Sequence, residues 1–225
     1  MEKNEKWKET MDMEKNETGE RKCDNVISDE LLEAYKGVAP ATLGHMSHLR
    51  FMDSGIKPVY RRCHVVGRAF TIWAPGGIDA LILDEANTKA QAGDVIVVDR
   101  GGDTEYACIG EFRALADLKR GIAGWVVDGA VCDVVAIGDM GFPTFSRSVS
   151  ALIAKSAGLE GAVQVPISCG GVVVNPGDMI LGDDDGVVVL SPEEAERLLP
   201  KCLEVEQKEI KKREGNIDIL TRNKH

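Results

Sequence analysis

The sequence predicts an α/β fold in which parallel strands are joined by helical crossovers, and three observations predict it. Residues 94–99 (DVIVVD), an apolar run with acidic ends, and 125–128 (WVVD), ended by Gly129, are short enough for buried strands. The segments after each of them carry helical spacing, so residues 93–147 alternate strand, turn and helix. Beyond Arg147 the pattern changes to apolar runs of about five residues separated by Gly, Pro and Asp, the mark of a compact β region. Ligands in parallel α/β sheets sit beyond the carboxyl ends of strands. The expected site is therefore a cleft shared by Asp99, Asp103, Asp128, Cys132 and Asp133.

Taken in order, residues 1–26 form a charged extension rich in Glu, Lys and Asn, readable as a solvated helix or a tail. Ser28 precedes Asp29-Glu30-Leu31-Leu32 as a helix N-cap, and that helix should end near Gly37. Pro40 opens a second helix start. His45 and His48 lie close in sequence, but no further ligands stand at metal-binding spacing, so they read as structural or surface histidines. Residues 67–74 alternate as a strand, Gly76-Gly77 breaks it, and Ala80, Leu81, Leu83 and Ala86 mark a helical stripe over 78–90. After Gly101-Gly102-Asp103 a helix is expected with Cys108, Phe112, Leu115 and Ala116 on one face.

In the β-rich part, strands are expected at 163–167, 171–174, 178–181 and 186–190. Asn175-Pro176-Gly177-Asp178 is a turn and Asp183-Asp184-Asp185-Gly186 a hairpin, which accounts for three successive acids without a metal. Ser191-Pro192-Glu193-Glu194 is a capped helix start with Pro192 in the first position. Ala195, Leu198, Leu199, Cys202 and Leu203 make its apolar stripe, and Pro200 should kink or split it. A second helical piece is expected to run to about Arg213, outlasting the stripe and reaching toward a neighbouring subunit, with 216–225 as a tail. No repeat or linker divides residues 27–215, which read as one domain.

Composition narrows the function. The 225 residues are 44% hydrophobic and only 5% aromatic, so the core is aliphatic, and a formal net charge of −10 argues against a partner held through nucleic-acid phosphates. None of the six cysteines forms a C-x-x-C pair, which favours buried free thiols. No secretory signal and no apolar run of membrane-spanning length is present, and a cytoplasmic location is the expectation. The G-x-G-x-x-G, G-x-S-x-G, H-E-x-x-H and P-loop patterns are absent.

Three segments, 94–102 (DVIVVDRGG), 126–145 (VVDGAVCDVVAIGDMGFPTF) and 165–190 (VPISCGGVVVNPGDMILGDDDGVVVL), resemble in order the RraA-like family. That family holds the 4-hydroxy-4-methyl-2-oxoglutarate and 4-carboxy-4-hydroxy-2-oxoadipate aldolases and the regulators of ribonuclease activity A. The resemblance implies a swivelling-type β/α sandwich, with a mixed sheet, flanking helices and a β-rich C-terminal part. It also implies trimers or hexamers with sites between subunits. It implies a substrate-holding segment at Gly110-Glu111-Phe112-Arg113 and, twenty residues after Glu111, an Arg-Asp pair. Here that pair is Cys132-Asp133: Asp133 matches the metal-binding aspartate and Cys132 replaces the arginine. Glu209, on the C-terminal helix, is the best match to a glutamate that a neighbouring subunit contributes.

The resemblance implies a lyase that cleaves or decarboxylates a small 2-oxo acid through the pyruvate enolate. A divalent cation, Mg²⁺ or Mn²⁺, would act as Lewis acid, and a water positioned by Glu209 or Glu111 as base. A cysteine cannot supply the arginine's charge, so Arg113 or Arg147 would have to replace it; otherwise the chain has kept the fold for another reaction or for a binding role like that of the ribonuclease regulators. Each residue also has a plainer reading. Asp133 could cap the helix 134–140, Glu111 could be a solvated acid, Arg113 and Arg147 could form surface ion pairs, and Cys132 could be a buried free thiol; a nucleophilic Cys132 is a further functional idea, with no histidine obviously paired with it.

Overall fold

The computed structural model describes residues 27–46, 48–77, 81–155 and 161–216. The expectations for 1–26 and for the tail beyond 216 fall outside these residues. The helices Asp29–Tyr35 (α1) and Pro40–Gly44 (α2) come first, followed by the short strands Arg50–Phe51 (β1) and Lys57–Pro58 (β2). Val65–Trp73 (β3) is followed by a 3₁₀ turn, Leu81–Glu85, that runs into Ala86–Lys89 (α3). Then come Asp94–Ala107 (β4), Glu111–Lys119 (α4), Gly124–Val131 (β5), Val134–Asp139 (α5) and Thr144–Val149 (β6). The β-rich part comprises Ala162–Val163 (β7), Ile167–Cys169 (β8), Val172–Val174 (β9), Met179–Gly182 (β10) and Val187–Leu190 (β11), and the helix Pro192–Glu214 (α6) follows it.

The larger sheet has the order β1-β11-β10-β3-β4-β5-β6-β2, with β7 paired to β3. Its middle ladders, β3/β4, β4/β5 and β5/β6, are parallel and joined by crossovers, as expected; the strands on either side are antiparallel. Alternate side chains of the middle strands enter two cores. Phe70, Ile72, Ile96, Val98, Trp125 and Val127 pack under α4 and α5 with Leu83, Ala114, Ile137 and Phe142. Ala69, Val95, Val97, Val126 and Phe145 pack against Ile167, Cys169, Val174 and Ile180. Burial on both faces is why these strands read as unbroken apolar runs. A third core joins α1, α2 and α6 to the faces of β10 and β11.

The caps follow the sequence. Ser28 Oγ accepts from the Leu31 N–H at 3.2 Å. Ser191 and Glu194 form a reciprocal capping box at 3.2 and 2.8 Å. Ser191→Ala is expected to cost about 1 kcal/mol, read as a lowered urea midpoint at unchanged slope. The 183–186 hairpin is closed by two backbone bonds, and Asp184 accepts from the N–H groups of Arg62 and Cys63, so the acids serve the turn and its neighbour. His45 and His48 are exposed, and Cys63, Cys108, Cys132, Cys169 and Cys202 are free and buried.

Four expectations need correction. Pro200 does not split α6, which runs continuously to Glu214; Pro200 is exposed, so water can reach the carbonyl its ring leaves unbonded, while buried Leu198 and Cys202 anchor the helix on either side. The strand expected at 163–167 is two short pieces, β7 and β8, with Gln164 at φ 57° between them. Gly101-Gly102 does not end β4: both glycines take positive φ (65° and 75°) and form a bulged stretch through which the strand continues to Ala107, with register shifts on either side of Asp103. The following helix therefore starts only at Glu111. The stripe counted from Cys108 has the wrong phase, because Ala114 and Asp117 are buried while Phe112 is 83% exposed.

Candidate functional site

Because β4 runs on past Asp99, the five residues expected in one cleft lie in different places. Asp99 accepts from Gly101 N–H at 2.8 Å and lines a separate depression with Trp73 and Ser168. Asp103 holds Gly77 N–H at 2.7 Å and faces the buried Arg100 at 3.4 Å. Asp128 receives Arg147 Nε and the Gly170 N–H. Only Cys132 and Asp133 share a cleft, with residues 107–113 and Ile153; its volume is about 280 Å³.

Two chain ends build this cleft. At the end of β4, Gly110 caps α4 in an extended conformation (φ −147°). At the end of β5, Cys132 leads into Asp133, which holds a left-handed conformation (φ 54°, ψ 34°) ahead of α5. Aspartate tolerates that region better than most residues, at a cost of order 1 kcal/mol that the surroundings must offset. Asp133 makes no side-chain cap on its own helix. Its Oδ2 instead accepts from the Glu111 N–H across the cleft at 3.0 Å and lies 3.3 Å from Cys132 Sγ. The capping alternative is thus answered unexpectedly: the carboxylate caps α4, the helix opposite. Gly110 has no room for a side chain here, since a Cβ would lie 2.6 Å from Cys132 Sγ and overlap the Asp133 carboxylate.

Of the first-turn N–H groups of α4, that of Glu111 goes to Asp133 and that of Ala114 to Gly110 O at 3.1 Å. Those of Phe112 and Arg113 have no carbonyl behind them in the helix and carry its positive end toward the cleft. Glu111 and Phe112 line the cleft beside them.

The arginines are committed elsewhere. Arg113 lines the cleft, but Nη2 pairs with Asp84 Oδ1 at 2.5 Å and Nη1 donates to Leu83 O at 3.1 Å. Arg147 is not among the lining residues. It joins Asp128 to Asp53, its Nη2 lying 2.8 Å from Asp53 Oδ2, and the paired guanidinium holds the Asp53 carboxyl below the usual carboxylate range. Glu209 stands on the exposed end of α6, paired with Arg213 at 2.9 Å, and does not line the cleft of its own chain. Cys108, Ile109 and Ile153 were missed in the sequence. Ile153 is brought in by a lone bridge to Ala107 from an irregular segment, and no local pattern marks it.

The Cys132 thiol is pushed up to about 12 by burial, with the hydrogen bond and charge of Asp133 adding to it. That argues against the nucleophile reading, because the thiolate is the reactive form. Iodoacetamide at pH 7.5 is expected to leave Cys132 unmodified in the native protein and to label it after unfolding, as peptide mass mapping would show.

Among the described residues no three His, Cys, Asp or Glu side chains assemble as a metal group. One exposed carboxylate, with a single oxygen engaged among the described residues, would fit a hydrated hard cation such as Mg²⁺ or Mn²⁺, which keeps most of its waters.

A family model described as RraA-like, Aldolase/RraA, matches residues 24–189. The chain belongs to the RraA-like family. A Halalkalibacterium halodurans protein with the provisional name 4-hydroxy-4-methyl-2-oxoglutarate aldolase is 42% identical over 151 residues, which are 67% of this chain and 71% of that protein. An uncharacterized Methanocaldococcus jannaschii protein is 32% identical over 165 residues, 72% of this chain and 77% of that one. Streptomyces coelicolor RraAS2, titled an unusual member of the RNase ES inhibitor RraA family, superposes with a TM-score of 0.72 at 28% identity, covering 83% of this chain and 98% of that one. The RraA-like sandwich expected from the three segments is therefore the observed fold. Among the described residues no helix is long and apolar enough to cross a membrane.

Proposed function

We propose that this protein is a lyase that releases pyruvate from a small 2-oxo acid, with a hydrated divalent cation at Asp133. The observation that carries the reading is the Asp133 carboxylate itself. It is held in a left-handed turn by the N–H of the opposite helix, above a small cleft that also presents the positive end of α4. The family's aldolase relatives supply the reaction class.

A cation there would supply Lewis acidity to the 2-oxo group. The chain's own residues do the rest. The Phe112 and Arg113 N–H groups receive the substrate carboxylate. Glu111, on the cleft wall, accepts the proton of the 4-hydroxyl. The C3–C4 bond then breaks, its electron pair stays on C3 as the pyruvate enolate, C4 becomes a ketone, and return of the proton from Glu111 to C3, directly or through water, gives pyruvate and restores the base. With 4-hydroxy-4-methyl-2-oxoglutarate both products are pyruvate, so a lactate dehydrogenase-coupled assay tests the proposal, with catalysis expected in Mn²⁺ or Mg²⁺.

The cleft's rim points to a second copy of the chain. Phe112, Val135, Val149, Leu152 and Ile153 are large apolar side chains between 49% and 83% exposed, on segments that border the cleft. Exposed apolar side chains on segments beside a site support an interface there. It would let Glu209 enter from a neighbouring subunit. Sedimentation is expected to show an oligomer, and Phe112→Glu a smaller species.

A second reading has its own observation. Cys132 brings no fixed positive charge and Arg113 is paired with Asp84, so no unpaired guanidinium lines this cleft among the described residues. That favours a binding oligomer of the RraA type, whose test is inhibition of a ribonuclease by protein that shows no lyase activity.

A further inference from the structure

We propose that Cys132 is the positioning residue for Asp133: its S–H clamps Oδ2, so that the other carboxylate oxygen alone is presented to the cleft. The inference rests on the cation reading above and concerns a residue that departs from the family pattern.

Acceptor strength, not distance, decides where the thiol's single proton goes. Cys132 Sγ has two acceptors, Ile109 O and Asp133 Oδ2, each at 3.3 Å. Ile109 O already takes the Cys132 backbone N–H at 2.8 Å. The carboxylate is the charged and therefore stronger acceptor. The sulfur cannot swing away, because it is packed in a pocket of small side chains, Ala107 and Ala130, and lies directly under Gly110.

Oδ2 thus receives two donors from different strand ends, the Cys132 S–H and the Glu111 N–H, whereas Oδ1 takes no hydrogen bond among the described residues. Two donors on one oxygen fix both the rotation of the carboxylate and the single oxygen through which it can bind. Outer partners of this kind orient metal-binding carboxylates. A thiol does so without adding charge, whereas an arginine at the same place would bring a full positive charge next to the cation.

The test is calorimetric titration of the purified full chain with Mn²⁺, in the absence of any oxo acid, for the native protein, Cys132→Ser and Cys132→Ala. Thermal melts confirm that each variant is folded. The expected result is that Cys132→Ala weakens Mn²⁺ binding about 10-fold, while Cys132→Ser, which keeps a donor, stays within about threefold of native. Equal binding by Cys132→Ala and native protein, or a serine variant as weak as the alanine one, overturns the positioning role and leaves the cation reading standing. Native protein that binds no Mn²⁺ overturns both.

Discussion

Asp133→Asn is expected to lower cation-stimulated pyruvate release by at least about 100-fold while leaving the fold intact. Asparagine is the substitution of choice because it adopts the left-handed region as readily as aspartate, so the turn at φ 54° is kept. It also retains an oxygen to accept from Glu111 N–H. What it loses is the negative charge, which the proposal requires. kcat/KM in the coupled assay, beside a thermal melt, separates the two effects. An unchanged kcat/KM would remove Asp133 from the mechanism. Asp133→Ala would be the poorer probe, since it adds backbone strain at the same position.

Gly110→Ala should be nearly as damaging, for a steric reason. The backbone at Gly110 is extended, which any residue adopts, so the substitution brings no conformational strain of its own. Its methyl group would meet Cys132 Sγ at 2.6 Å and overlap the Asp133 carboxylate. Overpacking of this kind costs about 1–3 kcal/mol, and it falls on the two side chains that define the cleft. The expected outcome is a fall in kcat/KM of about 100-fold, consistent with misplacement of a catalytic group by about 1 Å, with a modest loss of melting temperature. Native-like activity would mean that the carboxylate is not held as described.

The parallel ladders were legible because their strands are buried on both faces and read as unbroken apolar runs: Val95 to Val98 and Trp125 to Val127 are fully buried. The caps at Ser28 and Ser191 were legible because the hydrogen bonds involved are local. The bulge in β4 was not, since Gly101-Gly102 has the same composition whether it ends a strand or bends it. That one ambiguity displaced Asp99, Asp103 and Asp128 from the expected cleft and shifted the phase of α4. The pairing of Gly110–Arg113 with Cys132-Asp133 came from the resemblance, and the structure brings both segments into one cleft. The commitment of Arg113 to Asp84 was invisible, because Asp84 is 29 residues away in sequence and only the fold brings it near. Arg147 likewise belongs to Asp53 and Asp128, an association across 94 and 19 residues.

The most direct measurement is pyruvate release by the native protein from 4-hydroxy-4-methyl-2-oxoglutarate and from oxaloacetate, in Mn²⁺ and then in excess EDTA. Turnover that EDTA abolishes and added Mn²⁺ restores is the predicted result; it would also show that the cleft works with a neutral thiol where the family has an arginine. No turnover of either acid with Mn²⁺ present, by a folded oligomer, would contradict the lyase reading and leave a different reaction or the binding oligomer.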